Sequence, residues 1–160
     1  MKFYIIAICS LILDQLTKFL ILNKFSGLPH GYSVKIIGDF FVLTLVRNEG
    51  TAFGMKLITS PWPVLVSTLF VFGLLTYYVI NKCKEPFLLY GLSLILGGAV
   101  GNLIDRFRFG SVIDFLHFNF WPVFNVADIA ITVGVGLIII NLLFYSGEKK
   151  TNQIEPEHVG

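Results

Sequence analysis

The chain has 160 residues, of which 55% are hydrophobic and only 14% charged, with a formal net charge of +2 at pH 7. An average soluble domain carries roughly 25% charged residues, and a protein this small cannot bury so much apolar surface in water. The balance excludes a soluble globular domain and, with no Lys/Arg cluster to track phosphates, argues against a nucleic-acid binder.

Four apolar segments stand out, at about residues 3–22, 63–80, 87–103 and 126–145. Each approaches the roughly 20 residues that a helix needs to cross a hydrocarbon core. Open strands are excluded there, because lipid cannot satisfy backbone amides. The expected architecture is an all-α integral membrane protein, a bundle of four transmembrane helices. Residues 1–146 form one membrane-embedded domain, with outer loops at 23–62 and 104–125 and a polar tail at 147–160.

The first segment resembles a signal peptide in its Lys2 and apolar run, but Asp14 and Lys18 interrupt it and no small-x-small cleavage site is near. It is expected to be a retained first helix. An acid four residues before a base makes a favourable pair on one helix face. Asp14 and Lys18 therefore read either as a structural ion pair or as groups that hold the polar end of a substrate.

The first outer loop is long. Residues 33–47 read as two short strands around Gly38-Asp39, a small β element on the outer surface. Arg47-Asn48-Glu49-Gly50 follows, where Asn48 can clamp a peptide backbone and Gly50 permits a tight turn, or where the chain simply turns. The loops on this side hold Lys24, Lys35, Arg47, Lys56, Arg106 and Arg108, against Lys2, Lys82, Lys84, Lys149 and Lys150 on the other. The second set lies in much shorter segments, so its charge density is higher and both termini are expected to be cytoplasmic.

Three aspartates lie in 24 residues between the third and fourth segments, in Gly101-Asn102-Leu103-Ile104-Asp105-Arg106, Val112-Ile113-Asp114-Phe115 and Phe124-Asn125-Val126-Ala127-Asp128. A carboxylate at the edge of a bilayer is costly and usually functional. Asp114 and Asp128 are candidates for a pair in which one carboxyl stays protonated and the other ionised, supplying an acid and a base against an amide. In the competing reading, Asn125 and Asp128 only cap the fourth helix. Asn102, Asp105 and Arg106 lie along one side of a helix end, with Asp105–Arg106 as a structural pair or a substrate contact. Gly97 and Gly101 let another helix approach closely. His30, His117 and His158 have no ligand spacing, and Cys9 and Cys83 suggest neither disulfide nor zinc; no metal and no cofactor are expected.

Taken together, Asp14-Gln15-Leu16-Thr17-Lys18, Asn48-Glu49-Gly50-Thr51-Ala52-Phe53, the Gly97–Arg106 run and the Asp114 and Asp128 motifs resemble the lipoprotein signal peptidases, or signal peptidase II, which are bacterial inner-membrane aspartic proteases. The resemblance covers nearly the whole chain. It implies four transmembrane helices with a small outer β element and a short surface helix in the first outer loop. It also implies a catalytic dyad of Asp114 and Asp128, with Asp14, Asn48, Asn102, Asp105, Arg106 and Asn125 supporting the site. The implied substrates are diacylglyceryl-modified prolipoproteins, cut immediately before the lipid-bearing cysteine. Membrane lipids are the other expected partners, and one four-helix unit is expected to work as a monomer.

Overall fold

A computed structural model describes residues 2–29, 32–49, 51–52, 55–56, 62–81 and 84–151. Its elements in chain order are α1 (Lys2–Lys24), β1 (Ser33–Ile37), β2 (Phe41–Asn48), β3 (Thr51–Ala52), β4 (Met55–Lys56), α2 (Trp62–Ile80), α3 (Pro86–Phe109), β5 (Val112–Phe118) and α4 (Val126–Thr151).

Three helices are long and apolar enough to cross a membrane: Lys2–Lys24, Pro86–Phe109 and Val126–Phe144. The second expected span is a helix, but its apolar stretch, Leu65–Ile80, is shorter than the other three. The surface helix implied for the first outer loop finds no counterpart among the described residues, and residues 57–61 of that loop lie outside them.

Helix α3 begins at Pro86, whose missing N–H costs nothing at the first helical position. It ends at Gly110, which takes a left-handed φ of 69° and returns its N–H to the Arg106 carbonyl. The helix therefore outlasts the expected end at 103 by almost two turns. Asp105, Arg106 and Arg108 end the apolar run, but they are adequate helix formers and do not end the helix. For the same reason α4 continues to Thr151, into the segment expected to be a polar tail.

The helices pack around α3. Helix α1 runs parallel to it, with Ala7 beside Gly97 and Asp14 beside Gly101. Helix α4 runs antiparallel. A Cβ on Gly91 would come within 2.6 Å of the Gly134 carbonyl oxygen, and one on Gly98 within 2.5 Å of that of Ala127, so only glycine allows this approach. Ala7, Leu75, Leu89, Leu92 and Leu96 form the buried apolar core between α1, α2 and α3. Outside it, large side chains such as Ile12, Phe19, Phe70 and Leu143 are exposed, a surface suited to lipid rather than water.

At the end of the bundle where α1 and α3 finish and α4 begins lies an antiparallel sheet of order β1-β2-β5. The expected two-stranded element has a third strand, β5, drawn from the segment read as the second outer loop. Its register pairs Leu43 with Leu116 and Asn48 with Val112, with a bulge between Leu43 and Val46. Ile21, Phe25 and Phe115 bury the sheet against the end of α1.

Candidate active site

Asp114 lies in the middle of β5, and Asp128 is the third residue of α4. The strand brings Asp114 over the start of α4, where Asn125 joins the two. The Asn125 side-chain amide donates to Asp114 Oδ1 at 2.7 Å, while its own oxygen accepts the Asp128 backbone N–H at 3.0 Å. In return, Asp128 Oδ2 accepts the Asn125 backbone N–H at 3.2 Å. This reciprocal pair is a capping box, so Asn125 and Asp128 do start the helix. Capping uses Asp128 Oδ2, and Oδ1 accepts instead from Asn102 Nδ2 at 2.9 Å.

Asn48, the last residue of β2, donates from Nδ2 to Asp114 Oδ2 at 2.9 Å. Three asparagines from three elements thus hold the two carboxylates. Asn125 is fully buried and Asp114 nearly so, whereas Asp128 is half-buried and forms part of the wall of an apolar cavity of about 280 Å³ lined by Trp121, Phe124, Ile129, Thr132 and Val133. Burial is the main cause that pushes the Asp114 carboxyl up to about 6; the nearby Asp128 charge adds to it, while Asn48, Asn125 and the Lys18 charge act the other way.

Arg106 donates to the Asn102 carbonyl at 3.3 Å and lies in the electrostatic field of Asp114, Asp128 and Asp105. Asp105 forms its ion pair with Lys18 across the α1–α3 interface, at 2.7 Å, rather than with its neighbour Arg106. Lys18 also pairs with Asp14 at 2.9 Å and donates to Asn102 Oδ1 at 3.0 Å. An ammonium has three N–H groups. With three partners and 2% exposure, Lys18 has no proton to offer a substrate. Asp14 is likewise fully buried, and both charges of this pair are directed at groups of the protein itself.

Nine of the ten expected site residues therefore meet at one end of the bundle; the tenth, Gly50, lies outside the described residues. Gln15, outside the expected site residues, joins them: its Nε2 lies 3.2 Å from each of Asp14 Oδ2, Asp105 Oδ1 and the Gly101 carbonyl and donates to them. Its signals in the sequence are its place beside Asp14 and within the Asp14–Lys18 motif. Gly101 was read as a helix-packing glycine. The Asp14 carboxylate occupies the space a Cβ would take there, so it makes room for a charge.

The family model described as Signal peptidase (SPase) II matches residues 6–144. The chain is 43% identical over 149 residues to the lipoprotein signal peptidase of Moorella thermoacetica, covering 93% of this chain and 97% of that one. It is 42% identical over 151 residues to that of Brevibacillus brevis, covering 93% and 99%. Among solved structures, a bacterial membrane enzyme determined by the in meso method at 2.3 Å resolution superposes with a TM-score of 0.77 at 34% identity, covering 99% of this chain and 94% of that one. A second, at 1.9 Å resolution, gives 0.75 at 35% identity, covering 89% and 93%. A match over nearly the whole length, in sequence and in fold alike, means that this chain belongs to the signal peptidase II family.

Proposed function

We propose that this protein is a membrane-embedded aspartic endopeptidase that removes the signal peptide from diacylglyceryl-modified prolipoproteins, cutting just before the lipidated cysteine. The observation that carries this reading is the convergence of Asp114 and Asp128 on Asn125. Two carboxylates that influence one another cannot both ionise easily, so the pair keeps one proton and titrates as a unit. Asp114, whose carboxyl is pushed up to about 6, is the member that holds the proton. Asp128, half-buried on the first turn of α4, accepts N–H groups from Asn102 and Asn125 and takes the other role, toward water.

In the reaction, the Asp128 carboxylate takes a proton from water as the water oxygen attacks the scissile carbonyl carbon. Asp114 gives its proton to the carbonyl oxygen, forming a tetrahedral diol. Collapse breaks the C–N bond, and the proton held by Asp128 passes to the leaving cysteine nitrogen while Asp114 recovers its own. Asn48, Asn102 and Asn125 hold both carboxylates in register for these transfers.

Helix α2, antiparallel beside α3, serves as the fourth span. The termini are cytoplasmic and the dyad sits at the outer face of a bacterial inner membrane. A substrate anchored by two acyl chains meets the dyad at that depth, which lowers the entropic cost of productive approach. The apolar cavity beside Asp128 suits an apolar part of such a substrate. In this reading one four-helix chain works as a monomer.

The test is cleavage of a purified prolipoprotein with and without its diacylglyceryl group, with the products identified by mass spectrometry. The expected result is a product beginning at the lipidated cysteine, formed from the modified precursor alone and undiminished by EDTA. Equal cleavage of the unmodified precursor, or a cut elsewhere, contradicts the assignment.

A further inference from the structure

We propose that Gln15 and Lys18 of α1 are positioning residues that set the spacing of the two aspartates, an inference that rests on the dyad reading above. Asp14 Oδ1 accepts the backbone N–H of Ala127 at 2.9 Å, and Asp105 Oδ2 accepts that of Ile113 at 3.1 Å. Ala127 immediately precedes Asp128, and Ile113 immediately precedes Asp114. Each dyad member is therefore tethered, one residue away, to a buried carboxylate on a different helix. The Ala127 N–H is among the first-turn donors of α4 that have no partner within the helix, so Asp14 also satisfies a group that would otherwise be buried unpaired.

Gln15 and Lys18 join these two tethers. Lys18 Nζ lies 2.9 Å from Asp14 Oδ2 and 2.7 Å from Asp105 Oδ2. Gln15 Nε2 reaches the same two side chains. Without the ammonium and the amide between them, two buried carboxylates repel one another and carry Ile113 and Ala127 apart. Lys18 has a second effect. It occupies Asn102 Oδ1 at 3.0 Å together with Asn125 Nδ2, which donates to the same oxygen at 3.1 Å, and leaves the Nδ2 end of Asn102 to face Asp128 as a donor. One cation on α1 thus acts both on the separation of the dyad, with Gln15, and on the orientation of Asn102, with Asn125.

Gln15→Leu is the sharper variant, because it removes donors and alters no charge. The expected result is a fall in kcat of about 10- to 100-fold, the range for a small misplacement of reacting groups, with KM for the diacylglyceryl prolipoprotein little changed. The alkaline limb of the kcat/KM profile also moves to lower pH. The charged groups that act on Asp114 are Asp128 on α4, Lys18 on α1 and Arg106 on α3; only the Asp128 charge helps it keep its proton, and that help weakens with distance. Lys18→Arg keeps the charge but not the compact three-donor geometry, and is expected to lower kcat in the same way. A role in stability alone would lower the melting temperature and the folded fraction and leave the limb in place. A limb that stays fixed in Gln15→Leu, or activity lost only in proportion to folded protein, overturns the proposal. Asp114→Asn is assayed in parallel. If it is active, the dyad reading itself fails; if it is inactive while Gln15→Leu matches wild type, only the positioning role fails.

Discussion

Along α3, the half that begins at Pro86 buries leucines against apolar neighbours, and the half that ends at Phe109 packs against carboxylates. In the first half, Leu89, Leu92 and Leu96 meet Ala7 and Leu75, and Gly91 lets α4 approach backbone to backbone. Buried polar groups there are few: Ser93 donates back to the Leu89 carbonyl at 2.7 Å, and Asn141 donates to Glu85 Oε2 at 2.8 Å while its own oxygen is unpaired among the described residues. In the second half, Asn102 and Asp105 are buried together with Asp14, Lys18, Asp114 and Asn125, and each has named partners. Glycine serves both halves. At Gly91 it lets two backbones touch, whereas at Gly101 it admits a charged group. Close packing is thus a general property of this helix, and the site is the half in which packing is given over to fixing polar atoms.

The strongest way to break that contrast is Asn125→Ala. It removes donors to Asp114 and Asn102 and the cap of α4. Cleavage should fall at least about 100-fold, the scale of acid–base catalysis, against a loss of only about 1 kcal/mol for a missing cap. Initial rates and thermal melts in detergent separate the two effects. Next comes a matched pair of glycine variants. Gly91→Ala and Gly98→Ala each overpack the α3–α4 contact, at a cost of about 1–3 kcal/mol. Only Gly98→Ala, which presses on Ala127 beside Asp128, should also lower kcat per folded molecule.

Asn48→Ala has a smaller effect, read from pH. The Asn48 hydrogen bond favours the ionised form of Asp114, so its loss moves the alkaline limb of kcat/KM to higher pH. The last effect is on stability alone, with no change in mechanism. The folded Asp114 carboxyl keeps its proton up to about pH 6, against an ordinary value of 3.8. Its contribution is therefore complete below pH 3.8 and is lost as pH rises through about 6. Melting temperature should drop across that window in the wild type and drop less in Asp114→Asn.

Much of this was legible in the chain. Hydropathy located all four helices, and the acidic motifs located the two carboxylates that meet on Asn125, because a carboxylate between apolar segments has few neutral explanations. Hydropathy failed at the polar ends. Asp105 to Arg108 look like a loop by composition, yet they continue α3, since helix formation does not require apolar residues once the span is nucleated. Strand β5 was hidden because Asp114 and His117 interrupt its apolar run, and because its partner β2 lies 66 residues away by the Asn48–Asp114 contact. Asp105 adjoins Arg106 in sequence, but helical geometry points neighbours apart, and its cation came from α1 instead. Gln15 carried no signal beyond its place in the Asp14–Lys18 motif, since its role exists only where α1 and α3 meet.

Asp114 and Asp128 are the centre of the proposed mechanism. Initial rates of diacylglyceryl-prolipoprotein cleavage should be measured for the wild type, Asp114→Asn and Asp128→Asn, all purified and shown to be folded by thermal melting. The expected result is loss of cleavage in both variants with Asp114→Asn at least as stable as the wild type near neutral pH. Near-normal cleavage by either folded variant would contradict it.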